Sequence, residues 1–130
     1  MNLAFDTSVL IGVEKRDGTI LKKIEELSKT YPSIPQLPFI SHFEYLFGLK
    51  KRKPKNSSKL LKILNKFPLL QFTEKTSDIL SDLKIKYESS GVSLSLADLL
   101  IASQVIENKL ILVTTDKDFK RIEELKCVVL

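Results

Sequence analysis

The sequence predicts an α/β protein built on a parallel sheet, and three observations carry that expectation. Short apolar stretches alternate with segments of helical periodicity along the whole chain. One stretch, Leu110–Val113, is apolar at each position, as a strand covered on both faces must be. The chain has 130 residues, of which 43% are hydrophobic and 28% charged, enough for one domain (residues 1–130) with a core of its own.

Taken in order, Leu3-Ala4-Phe5 reads as a short buried strand ending at Asp6. Thr19–Lys29 carries Ile20, Leu21, Ile24 and Leu27 at helical spacing. Pro32, Pro35 and Pro38 mark a loop, and Phe39-Ile40 reads as a second short strand. Ser41 opens a helix running to about Arg52, which Pro54 stops. Ser57 or Ser58 can cap the next helix, with Leu60, Leu61, Ile63, Leu64 and Phe67 as its inner face. Leu69–Phe72 reads as a third strand. Thr76–Glu88 is a helix burying Ile79, Leu80, Leu83 and Tyr87, ended by Gly91. Ser95–Glu107 is apolar over most of its surface and should be the most buried helix. After the strand Leu110–Val113, Asp118–Leu125 is a short helix and Cys127–Leu130 a last strand.

Composition removes several function classes. A single cysteine, Cys127, forbids an internal disulfide and reads as a small hydrophobe of the terminal strand. A single histidine, His42, cannot build a histidine-rich metal centre and reads as a packing or surface residue. The opening residues lack the basic segment of a secretory signal, and no apolar run approaches the roughly 20 residues that span a bilayer. The expectation is a cytoplasmic protein without a membrane partner. A net charge of +5 favours a polyanionic one.

The positions of the acids are more informative than their number. Asp6 directly follows the first strand, and Asp116 directly follows the strand Leu110–Val113. Glu44 lies in the first turn of the helix after the second strand, and Asp98 in the first turn of the most buried helix. Open parallel sheets bind ligands beyond the carboxyl ends of their strands. Carboxylates gathered there repel one another and would stay partly protonated unless a cation compensates them. Hard oxygen donors suit Mg²⁺ or Mn²⁺, which can activate water and stabilise charge on a phosphodiester. Each acid also has a plainer reading. Ser41…Glu44 and Ser95…Asp98 fit capping boxes, and Asp6 or Asp116 could simply cap a turn or helix.

Four motifs together resemble one family. Asp6-Thr7-Ser8-Val9-Leu10-Ile11 is similar to the opening motif of PIN domains. Ser41–Gly48, with glycine one turn after Glu44, is similar to the second. Leu96–Ala102 around Asp98 is similar to the third, and Val113–Phe119 around Asp116 to the fourth. They occur in family order and span essentially the whole chain. The compact length is similar to that of VapC-like toxins. The resemblance implies a three-layer α/β/α sandwich, Mg²⁺- or Mn²⁺-dependent cleavage of RNA, a homodimer, and inhibition by a VapB-like antitoxin. It implies that Asp6, Glu44, Asp98 and Asp116 are the catalytic and metal-site acids. Ser8 and Thr114 match polar positions beside them, and Asp118 could stand in for Asp116.

The remaining features divide between function and plain structure. Lys50, Lys51, Arg52, Lys53 and Lys55, followed by Lys59, Lys62 and Lys66, could contact phosphates or form a solvated helix end. Phe43, Tyr45 and Phe47 read as core or dimer contacts rather than base-stacking surfaces. A PIN nuclease of RNA processing without an antitoxin is an alternative, and a catalytically silent binding module another, which retention of all four acids disfavours. A receiver-type phosphoacceptor domain would want paired acids after its first strand, which Asp6-Thr7-Ser8 lacks.

Overall fold

Three parallel strands occupy the centre of the molecule in the order β1 (Leu3–Phe5), β2 (Ile111–Thr114), β3 (Cys127–Val129). The computed structural model describes residues 1–130. Phe5 lies opposite Val113, and Thr114 opposite Val129. Two single-residue parallel bridges extend the ladder beyond β1, joining Ala4 to Gln36 and Leu37 to Leu69. By residue number the lateral order is therefore 69, 36–37, 3–5, 111–114, 127–129. The chain works outward in one direction from β1, then crosses back to β2 and works outward in the other. A ligand crevice is expected at that reversal, beyond Phe5 and Thr114.

Six helices cover the sheet: α1 (Thr7–Glu14), α2 (Gly18–Thr30), α3 (Phe39–Arg52), α4 (Ser57–Leu64), α5 (Glu74–Ser89) and α6 (Leu96–Glu107). Successive strand side chains point to opposite faces, and the core divides accordingly. Ala4 and Leu112 pack with Leu83, Tyr87, Leu99 and Val105 of α5 and α6. Leu3, Phe5 and Val113 pack with Val9, Tyr45, Leu49 and Leu64 of α1, α3 and α4. The result is the expected three-layer α/β/α sandwich. Burying a side chain such as Leu112 or Val113 stabilises it by about 1.5–3 kcal/mol. No helix is long and apolar enough to cross a membrane.

Most helices form where the periodicity predicted them, and α6 is the most buried. Gly91 sits just past α5 at φ 72°, the left-handed conformation that glycine adopts without a Cβ penalty. The boundaries elsewhere need correction. The segment after Asp6, for which no element was predicted, is α1, capped by the Asp6 side chain accepting from Val9 N. Phe39-Ile40 is the first turn of α3, not a strand; strand-like pairing falls at Gln36 and Leu37, just before Pro38. Leu69–Phe72 contributes only the Leu69 bridge. Asn56, not Ser57 or Ser58, occupies the cap of α4, without a side-chain hydrogen bond. Lys117–Arg121 is a short 3-10 turn in place of the helix expected over Asp118–Leu125.

The start of α3 is held from another layer. Pro38 offers its first turn no side-chain cap. Gln104 of α6, wholly buried, supplies one: its Oε1 accepts from Phe39 N at 2.8 Å, and its Nε2 donates to Leu70 O at 3.3 Å. Ser41 is therefore inside the helix rather than at its cap, and the capping box expected with Glu44 does not form. The Ser41 hydroxyl is fully buried and has no hydrogen-bond partner. A buried polar group left unpaired costs about 1–3 kcal/mol. Ser41→Ala should therefore stabilise the protein by about 1 kcal/mol in urea unfolding. A loss of stability would show that the hydroxyl is paired.

Candidate active site

Asp6 leaves β1 at the reversal point and caps α1 in the same step. Burial pushes its carboxyl above the ordinary aspartate value, and donors from Ser8, Thr114 and Val9 work against that shift. Oδ1 accepts from Ser8 Oγ at 2.5 Å and Val9 N at 3.4 Å, while Oδ2 accepts from Thr114 Oγ1 at 2.5 Å. Thr114 ends β2 with its side chain wholly buried. Its Oγ1 also accepts from Asp116 N at 3.0 Å, which links the first and fourth candidate acids through one hydroxyl. Ser8 makes a second link, since its Oγ accepts from Thr115 N at 3.1 Å.

The other acids come from two further elements. Glu44 projects from the exposed side of α3, and its Oε1 accepts from Thr7 Oγ1 at 3.0 Å. Thr7 also reaches Ser41 O at 3.3 Å, so the first residue of α1 is tied to the first turns of α3. Asp98 stands in the first turn of α6, whose N-cap Ser95 accepts from Asp98 N at 3.1 Å. Burial raises the Asp98 carboxyl above its ordinary value, and the negative charges of Asp116, Asp118 and Glu44 raise it further. Asp116 Oδ1 caps the 3-10 turn by accepting from Asp118 N at 2.9 Å, and the second carboxylate, Asp118, lies 3.9 Å from Arg121 Nη1. Both acids lie near enough to act on Asp98 by their charge, Asp116 more strongly.

No three of these side chains are arranged as a ready-made ligand set. Their chemistry nevertheless fits a hard divalent cation: the donors are carboxylate and hydroxyl oxygens, and Asp98 sits within reach of the negative charges of Asp116, Asp118 and Glu44. Ions of this class keep several of their waters, which can fill the space between widely set carboxylates.

Two groups at the site were not singled out in the sequence. Thr7 orients Glu44, and its place between Asp6 and Ser8 at a helix start was the available signal. Glu14, at the far end of α1, accepts from Tyr45 Oη at 2.5 Å and from both terminal nitrogens of Arg52 at 3.0 Å. Arg52 holds the Glu14 carboxyl below its ordinary value. Nothing in the local sequence pairs residues 38 positions apart. Of the aromatic residues on α3, Tyr45 is core, whereas Phe43 and Phe47 stack on each other while 52% and 55% exposed. The reading of all three as core or dimer contacts thus holds within the protomer for Tyr45 alone.

The fold is a doubly wound α/β sandwich with the candidate acids set around its reversal point. The sequence matches the family model of the PIN domain over residues 3–125, and the chain belongs to that family. Divalent-metal dependence is a general property of PIN nucleases. Its similarity within the family is to VapC proteins. It is 29% identical to ribonuclease VapC2 of Rickettsia felis over 122 residues, 92% of this chain and 91% of that protein. The crystal structure of VapBC2 from Rickettsia felis, bound to a promoter DNA fragment, superposes with a TM-score of 0.85 at 26% identity. That match covers 100% of this chain and 99% of the other. A toxin–antitoxin complex from Klebsiella pneumoniae shares the fold, with a TM-score of 0.77 at 22% identity over 99% and 97% of the two chains.

Proposed function

We propose that this chain is a metal-dependent endoribonuclease, the toxin of a toxin–antitoxin pair. It cleaves RNA phosphodiesters in the crevice between Asp6, Glu44, Asp98 and Asp116. The observation that carries the proposal is the hydroxyl of Thr114, shared between the Asp6 carboxylate and Asp116 N, with Asp98 close enough to feel the charges of Asp116 and Glu44. Those four acids would hold Mg²⁺ or Mn²⁺, with Asp118 beside them. A bound ion supplies a water of lowered pKa and stabilises charge developing on the phosphodiester.

The protein's own contribution is orientation. Ser8 and Thr114 grip Asp6 through both of its oxygens, and Thr7 fixes Glu44. Preset carboxylates do not have to reorganise as charge develops, which is where such sites gain their rate. The relatives' names support RNA as the substrate and a VapB-like antitoxin as the partner. The proposed working compartment is the cytoplasm, where RNA is at hand. The homodimer belongs to the same proposal, and the exposed Phe43–Phe47 stack is an apolar surface open to it.

The test is cleavage of total RNA across Mg²⁺ and Mn²⁺ titrations with product ends mapped, comparing the parent with Asp98→Asn. Ser95 caps α6 by accepting from the backbone N–H of residue 98, which the substitution leaves in place, so folding is retained. Cleavage should fall at each metal concentration. Metal-free stability at pH 7 should rise slightly, because a desolvated and repelled charge is removed. The sign follows from linkage. A carboxyl raised above 3.8 in the folded state contributes stability that is present below 3.8 and lost as pH rises through the folded value. The gain of Asp98→Asn should therefore vanish when melting is repeated below pH 3.8. Parental cleavage at each metal concentration would remove Asp98 from the reaction.

A further inference from the structure

Between α1 and α3 a cavity of about 200 Å³ opens directly beside Glu44. Thr7 and Glu44 line it near the acids, and Lys15 and Arg52 line it farther along. Gly48 lies between them and faces open space, where a Cβ would meet no atom within 4 Å. Arg52 follows Glu44 by eight residues on one helix, which at 1.5 Å per residue is about 12 Å along the axis. A group held at Arg52 therefore cannot be the one being cleaved beside Glu44.

Arg52 is prepared for an anion. Glu14 takes one N–H from each of its terminal nitrogens, which sets the plane of the guanidinium and leaves three of its five donors unused. The Arg52 side chain is 48% exposed and that of Glu14 only 14%, so the arginine is the member presented to solvent. Tyr45, buried in the core, holds Glu14 from behind. Lys15 is exposed, and Arg16, Lys50, Lys51 and Lys53 add positive charge around the same end of the two helices. A planar fork backed by a fixed carboxylate is suited to the paired oxygens of a phosphate diester.

We infer that this cleft is a subsite for a backbone phosphate of single-stranded RNA, one or more nucleotides from the scissile bond, with Arg52 and Lys15 as its ligands and Glu14 as the positioning residue for Arg52. The inference rests on the ribonuclease reading, since it is the RNA cut beside Glu44 that continues into the cleft. RNA is favoured over an acidic protein partner because Glu44, beside which the phosphodiester is proposed to lie, lines the same cleft.

The test uses the Asp98→Asn chain, whose expected slow cleavage lets binding be read before the RNA is consumed. A fluorescein-labelled single-stranded oligoribonucleotide is bound at constant Mg²⁺ over a series of KCl concentrations. Lys15→Gln and Arg52→Gln should each weaken binding severalfold at low salt. Each should also make the dependence of log K on log salt shallower by about 0.7, the change for one phosphate contact on a single strand. Arg52→Lys should keep the slope and still bind more weakly, having the charge without the fork. Lys126→Gln, near Met1 at the amino edge of the sheet, should change neither. Arg52→Gln also breaks the pair with Glu14, whereas Lys15→Gln removes no salt bridge, so the test stands if the arginine variant unfolds. Parental slopes in both glutamine variants would overturn the subsite and leave the nuclease reading intact. Parental slopes together with a weakened hold on a protein partner would reassign the cleft to that partner and overturn it equally. If the parent chain cleaves no RNA with either metal, the nuclease reading fails first and the subsite with it.

Discussion

Asp6→Asn should yield a folded chain that cleaves RNA at least about a hundredfold more slowly, since even loss of an outer-shell partner of a metal site costs about 10–100-fold. The amide keeps one oxygen, which can still accept from Ser8 and Val9. Its nitrogen then faces Thr114 Oγ1, a hydroxyl that already accepts from Asp116 N and now has no acceptor for its own proton. One substitution thus removes a charge and loosens the link between two acids. Folding is spared because the carboxylate is a cost to the metal-free protein, its burial having pushed it above its ordinary value. Single-turnover cleavage at saturating Mg²⁺, with melting of the metal-free chain at pH 7, measures both effects. Parental cleavage, or collapse of the fold, would contradict this account of Asp6.

Gln104→Leu should have the largest effect on stability. Leucine fills much the same volume but offers no hydrogen bond, so Phe39 N and Leu70 O lose their partner together. At about 1–3 kcal/mol for each buried group left unpaired, and with Phe39 N only partly buried, the expected loss is about 2–4 kcal/mol. Because the first turn of α3 frays and Glu44 lies little more than one turn on, cleavage should fall as well, even where the protein is still mostly folded. Urea unfolding with a parallel cleavage assay tests this. A change in stability within the range of ordinary surface substitutions would show that α3 does not need the cap.

The sequence made the layers and the acids legible for the same reason: both are carried by local pattern. Asp6, Glu44, Asp98 and Asp116 sit where an apolar run ends or a helical period begins, and those junctions are visible without coordinates. What stayed hidden depends on distant partners. Gln104 carries no local signal in its apolar helix, because the groups it serves lie 65 and 34 residues away. The segment Thr7–Glu14 is rich in β-branched residues and gave no clear helical period, although Asp6 ahead of it was a cap in plain view. The outer strands were misplaced because each is a single bridge whose pairing is set by neighbours and not by its own residues. Phe39 and Ile40 are apolar enough for a strand, but Pro38 places them past the bridge and inside a helix.

The bond from Thr114 to Asp6 spans 108 residues, and that from Thr115 to Ser8 spans 107. Synthesis runs from the amino end, so Asp6 leaves the ribosome long before either partner exists. Until then β1 has only its bridge to Gln36 on one edge, and the Asp6 carboxylate lacks one of the two hydroxyls that aim it. Contacts between such distant residues form late and set a slow step in folding. Competence therefore arrives as a single late event rather than growing with the chain. A nuclease assembled on a machine made largely of RNA stays inert toward that machine for nearly the whole of its own translation.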